Sequence, residues 1–110
     1  MPKGLTLGIV SFKPGDGGAR HIHFKSEEIL YVLEGRVKQS WGDNYVILEE
    51  GDTFGVERGV PHHAENIGDE LARAVVVYDS AVRDYVKELD YEADPEAFPE
   101  IRVPLEINLE

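Results

Sequence analysis

The sequence predicts an all-β fold of antiparallel strands closed into a barrel or sandwich, and three observations carry that prediction. Short segments rich in valine, isoleucine, leucine and aromatic residues recur along the chain, glycine, aspartate and asparagine stand between them, and apolar residues at helical spacing are scarce up to Asp79. At 110 residues the chain fits one domain, which buries roughly two-thirds of the surface of its unfolded form and has room for one core.

The strands follow in order. They are expected at Leu5 to Phe12, Arg20 to Lys25, Ile29 to Leu33, Arg36 to Trp41, Tyr45 to Leu48, Thr53 to Val56, His62 to Asn66 and Leu71 to Tyr78. Each break has a cause. Pro14 ends the first strand and the G-D-G-G run that follows permits a turn, Gly35 turns the chain after Leu33, and G-D-N at Gly42 and E-E-G-D at Glu49 suit tight hairpins. After Asp79 the pattern changes. Val82, Tyr85, Val86 and Leu89 fall at helical spacing, which predicts a short amphipathic helix over Ala81 to Leu89 with Ser80 as its N-cap. The final segment alternates strictly, with Ile101, Val103, Leu105, Ile107 and Leu109 on one face of an extended strand, and Pro104 confines that strand to an edge. Residues 1–79 are therefore expected to form the barrel, and residues 80–110 an extension that packs on it or joins a partner subunit in a homodimer.

Composition excludes several function classes. The longest apolar stretch, Ala74 to Tyr78, is far too short to span a bilayer as a helix, and the N-terminal residues lack the pattern of a signal peptide, so a cytoplasmic location is expected. Twenty-two acidic against 11 basic residues give a net charge of −11, a field that repels phosphate backbones and anionic headgroups, so neither nucleic acid nor membrane is an expected partner. The chain has no cysteine, which leaves imidazole and carboxylate as its strong metal-ligating side chains. Neither a G-x-S-x-G elbow nor a glycine-rich phosphate loop is present.

All four histidines lie in two segments, Gly15 to Gly35 and Gly51 to Asn66. Side chains two apart on a strand share a face, so His21 and His23 can chelate one ion while Ile22 and Phe24 face the other way. Glu28 follows after a short connection, and His62 comes from a strand two hairpins later, so only a curled sheet would bring the four together. Three neutral imidazoles and a carboxylate suit iron, manganese, nickel, copper or zinc, and leave coordination positions for water or substrate. Glu27 is the alternative carboxylate, whereas His63, one residue after His62, should face away. Asn66 is expected to secure a turn or strand end. Arg20, Tyr31, Gln39, Trp41 and Tyr45 could line a pocket, with core packing or surface exposure as the simpler reading of each.

The pattern resembles the cupin family. Its first motif is a glycine, five residues, His-x-His, three or four residues, Glu, six residues and Gly, and Gly15, His21, His23, Glu28 and Gly35 match it. Its second is a glycine, five residues, Pro-x-Gly, two residues, His, three residues and Asn; Gly51, Gly59, His62 and Asn66 comply, while Glu57 stands at the proline position. That departure touches a turn rather than a ligand. The resemblance implies a six- to eight-stranded antiparallel barrel of the double-stranded β-helix, or jelly-roll, type, with one divalent transition metal ion inside held by His21, His23, Glu28 and His62. It also implies a metal-dependent enzyme acting on a small organic molecule, by dioxygenase, isomerase, lyase or decarboxylase chemistry. The alternatives are a non-catalytic small-molecule or metal-sensing binding module, and an assembly protein whose metal only stabilises the barrel.

Overall fold

The computed structural model describes residues 4–80 and 85–94. Strands β1 (Thr6–Phe12), β2 (His21–Ile22), β3 (Glu28–Glu34), β4 (Val37–Trp41), β5 (Asn44–Leu48), β6 (Thr53–Val56), β7 (His62–Asn66), β8 (Ala72–Tyr78) and β9 (Val86–Lys87) precede one helix, α1 (Glu88–Ala93). They form two antiparallel sheets, one ordered β1-β8-β3-β6 and the other β5-β4-β7-β2-β9. Apart from the β4–β5 hairpin, consecutive strands alternate between the sheets in the manner of a jelly roll, but among the described residues the hydrogen-bonded ladders do not run continuously round a closed barrel.

Alternation along the strands builds the core between the two sheets. Leu30 and Val32 of β3 and Ala72, Ala74, Val76 and Tyr78 of β8 face Val37 of β4 and Leu48 of β5, all buried, with Phe12 and Phe54 packed against them. Burial of such side chains contributes about 1.5–3 kcal/mol each for the larger ones. A second, smaller cluster of Ile22, Phe24 and Val86, with Tyr91 against it, joins β2, β9 and α1.

Gly35 explains one motif position. Its φ of 88° lies in the left-handed region, and a Cβ placed there would sit 2.7 Å from both Cα and Cβ of Ala72, so the turn after β3 can approach β8 only with glycine. Asn66 secures a strand end as expected. Its buried amide donates from Nδ2 to the carbonyls of Phe12 (3.0 Å) and Glu70 (2.7 Å), and its Oδ1 accepts from the Gly68 N–H (2.8 Å), which joins the ends of β1 and β7 and the turn into β8.

Two expectations need correction. The second strand was expected over Arg20 to Lys25, but β2 is only His21–Ile22, because the chain bends at Phe24–Lys25. Of the helix expected over Ala81 to Leu89 with Ser80 as cap, 81–84 lie outside the described residues; Val86–Lys87 is strand and α1 starts at Glu88 after Lys87. The free edge of β2 supplies the reason. Pairing of Ile22 with Val86 and His21 with Lys87 extends the sheet, and this tertiary pairing outweighs a short helical pattern that also contains a β-branched valine. Burial agrees with strand rather than helix spacing, since Val86 is 8% exposed and Leu89 77%. The alternating strand from Ile101 to Leu109 lies outside the described residues.

Candidate metal centre

Four side chains from both sheets meet at one end of the core. Glu28 opens β3 in the four-stranded sheet, His21 and His62 are paired across β2 and β7 in the five-stranded sheet, and His23 lies just beyond β2. One donor atom from each lies within 4.8 Å of the others. The imidazole centroids are 4.4 Å apart for His21 and His62, 4.9 Å for His21 and His23, and 5.0 Å for His23 and His62. His23, Glu28 and His62 are buried and His21 is half-buried.

Backbone carbonyls orient two of the rings. His21 Nδ1 lies 2.9 Å from the Ala19 carbonyl and His62 Nδ1 lies 2.8 Å from the Val60 carbonyl. A carbonyl only accepts, so each Nδ1 carries the proton and donates it, which leaves the Nε2 lone pair of the neutral ring for the centre of the cluster. Glu28 Oε1 stands 3.2 Å from His23 Nε2 and 3.3 Å from His62 Nε2. A carboxylate oxygen facing an imidazole lone pair at that distance is repelled unless a proton or a cation lies between them. The donor set therefore fits a divalent transition metal, as the chemistry of nitrogen and carboxylate ligands requires.

Electrostatics favour the ligating protonation states. Burial, then the neighbouring His62, pulls His21 from 6.5 down to about 4, so this ring is neutral at ordinary pH. Burial alone would raise Glu28, but the neighbouring His23 and His62 imidazoles outweigh it and lower the carboxyl from 4.5 to about 2.

The neighbours sort as follows. Glu28, not Glu27, reaches the cluster; Glu27 is exposed, and its N–H donates to Asp79 Oδ1 at 2.7 Å. His63 pairs with Ser40 on the opposite face of β7 from His62 and stays outside the cluster, with burial, then Arg20, lowering its basicity. Gly59, near the exposed Glu57, donates its N–H to the His23 carbonyl at 2.8 Å. The turn between β6 and β7 thus supports the ligand segment without the usual proline.

A cavity of about 200 Å³ opens against His21 and Glu28. Val10, Phe12, Leu30 and Val76 supply apolar walls, and Tyr78 and Tyr85 add aromatic ones. None of Arg20, Tyr31, Gln39, Trp41 or Tyr45 lines it. Arg20 pairs with Glu88, Tyr31 and Tyr45 are exposed, Gln39 is buried and donates to the carbonyls of Ser40 and His63, and Trp41 packs on Phe54. Strand alternation could have singled out Val10, Phe12, Leu30, Val76 and Tyr78 as inward-facing; Tyr85 had no such signal, because its segment read as helix.

The sequence profile of the cupin domain matches residues 8–78, well over half the chain. The chain belongs to the cupin family. Among similar proteins, germin-like protein 3-8 of Oryza sativa subsp. japonica is 33% identical over 82 residues, covering 70% of this cupin and 36% of the relative. Germin-like protein 3-7 of the same plant is 31% identical over 100 residues, covering 84% and 43%. A solved structure of recombinant oxalate oxidase in complex with glycolate superimposes with a TM-score of 0.72 at 28% identity, over 76% of this cupin and 46% of that chain. This cupin thus spans less than half the length of each. Among its described residues, no helix is long and apolar enough to cross a membrane.

Proposed function

We propose that this cupin is a metal-dependent enzyme acting on a small carboxylate or carbonyl compound, with His21, His23, Glu28 and His62 as the ligands of one divalent transition metal ion. The observation that carries the reading is the convergence of four donors within 4.8 Å, two of them with their tautomer set by a backbone carbonyl. When bound, iron, manganese, nickel, copper or zinc supplies Lewis acidity toward a carbonyl or carboxylate oxygen and, if redox-active, electrons. The protein does the rest. Glu28 offsets part of the ion's charge, the carbonyls of Ala19 and Val60 hold two rings in their ligating orientation, and Val10, Phe12, Leu30 and Val76 keep the approach apolar. At about 200 Å³ the cavity is below the roughly 300–1,000 Å³ of sites for drug-sized ligands, which favours a small molecule. The glycolate complex of the similar oxalate oxidase favours a carboxylate. Reaction chemistry is tested by reconstituting metal-free protein with each ion in turn and following oxygen uptake and carbon dioxide release on oxalate and glycolate. Turnover with wild type, and none with a folded His62→Ala variant, is the expected result. A metal without exchangeable water or turnover, whose removal only lowers the melting temperature, would overturn the enzyme reading in favour of a structural ion.

The same reading includes a homodimer built on residues 1–79, with residues 80–110 as an extension. The outer face of the four-stranded sheet supports it. Leu7, Val77 and Ile29 form one row across β1, β8 and β3, and Ile9, Val75 and Tyr31 form the next, with Leu7 69% exposed. In a chain of net charge −11, these two rows of uncharged side chains, flanked by Arg73 and Asp79, are where two copies can meet with little opposition of like charges. Sedimentation of wild type as a dimer and of Leu7→Glu as a monomer would support the interface; two identical profiles would overturn it.

A further inference from the structure

Tyr85 lies beyond the residues 8–78 that match the family, yet its ring touches the candidate metal centre. It stacks on His21 with centroids 4.6 Å apart and planes 22° from parallel, and it forms part of the cavity wall. The segment that carries it is anchored on both faces. Val86 pairs with Ile22 and is buried in the Ile22 and Phe24 cluster, while Lys87 pairs with His21. Arg20, immediately before His21, pairs through Nε with Glu88 at 2.7 Å and accepts the Glu88 N–H at its carbonyl. The same guanidinium donates from Nη2 to the Gly42 carbonyl at 2.8 Å. One short stretch thus fixes both members of the His21–Tyr85 stack.

The cavity walls differ in what lies behind them. Leu30 and Val76 belong to the close-packed core and cannot retreat without opening a void. Tyr85, 43% exposed, belongs to neither buried core cluster, so its ring bounds the cavity without filling the core. We propose that Tyr85 is a specificity-determining residue, the aromatic wall that restricts the ligand beside the metal to compact aliphatic carboxylates and turns away ring-bearing ones. This rests on the metal reading given above and assigns to that site a selectivity supplied from outside the family-matched span.

The test uses the full chain loaded with cobalt(II), with Tyr85→Phe and Tyr85→Ala variants, and follows the visible cobalt bands on titration with acetate and with benzoate. Tyr85→Phe should keep the wild-type preference for acetate, and Tyr85→Ala should gain about tenfold or more in benzoate affinity relative to acetate, the scale on which apolar pockets discriminate by size. A folded, cobalt-loaded Tyr85→Ala with the wild-type ratio would overturn the proposal and leave the metal site standing. Wild type that takes up no cobalt would instead overturn the metal reading and the proposal with it. A second readout needs no metal. The His21 ring protons should carry an upfield ring-current shift in the nuclear magnetic resonance spectrum, kept in Tyr85→Phe and lost in Tyr85→Ala; no change on removing the ring would overturn the stacked placement.

Discussion

Replacing Gly35 by alanine tests why this motif position holds glycine. Two separable effects are predicted. An L-residue in the left-handed region costs roughly 1–2 kcal/mol, and Gly35 has a φ of 88°. The added methyl would also lie 2.7 Å from Cα and Cβ of Ala72, and 3.1 Å from the Leu71 carbonyl oxygen. Ala72 is fully buried in the main core and paired with Phe12 of β1, so it cannot give way freely. Overpacking of this kind costs roughly 1–3 kcal/mol. Gly35→Ala should therefore lose roughly 2–5 kcal/mol, a large share of the roughly 5–15 kcal/mol by which domains are stable. Gly51 provides the control: its φ is 89°, but no heavy atom of the described residues comes within 4 Å of an added Cβ. Gly51→Ala should lose only the conformational part, roughly 1–2 kcal/mol. Equilibrium urea unfolding of both variants, metal-free and with equal m-values, measures the difference. Equal losses, or a smaller loss for Gly35→Ala, would refute the close-approach argument.

Asn66→Ala removes three hydrogen bonds from a buried amide and should cost roughly 2–4 kcal/mol in the same unfolding assay; a loss below that of an exposed control such as Asp43→Ala would contradict its role as a tie. Acid should weaken the metal-free fold. His21 stays neutral in the folded chain down to about 4 although its ordinary value is 6.5, so between those values the unfolded chain binds more protons and stability falls as pH falls. Glu28 adds to the same trend between 4.5 and about 2. The urea midpoint of wild type should thus drop more steeply than that of His21→Gln from pH 6.5 to 4, and parallel curves would contradict the assignment. Glu28→Gln should stay folded and lose more affinity for added zinc than the roughly 10–100-fold seen when a group that merely orients a ligand is removed; calorimetric titration with unchanged affinity would exclude Glu28 as a ligand.

Much of this architecture was legible because strand alternation and turn residues are local. Strands β4 to β8 fall within a residue of their expected bounds, since turn residues mark their ends and β8 carries a clear apolar face of period two. Glu28 could be preferred to Glu27 only through the resemblance to the cupin motif, whose six-residue gap before Gly35 it keeps, and Glu27 is exposed. Non-local facts were not readable. The shortness of β2 depends on the bend at Phe24–Lys25, and the strand at Val86–Lys87 exists because the edge of β2 accepts it. The convergence of His21, His23, Glu28 and His62 was inferred from spacing, whereas the carbonyls of Ala19 and Val60 that orient two rings, and the stacking of Tyr85 on His21, arise only once distant segments are packed.

X-ray absorption at the metal edge, on protein reconstituted with one equivalent of zinc, tests the central claim most directly. The account predicts one ion per chain bound by three imidazole nitrogens at about 2.0–2.1 Å and a carboxylate oxygen at about 2.0–2.2 Å, with the imidazole scattering reduced by a third in His62→Ala. A spectrum with fewer imidazoles, or one unchanged by that substitution, would contradict it.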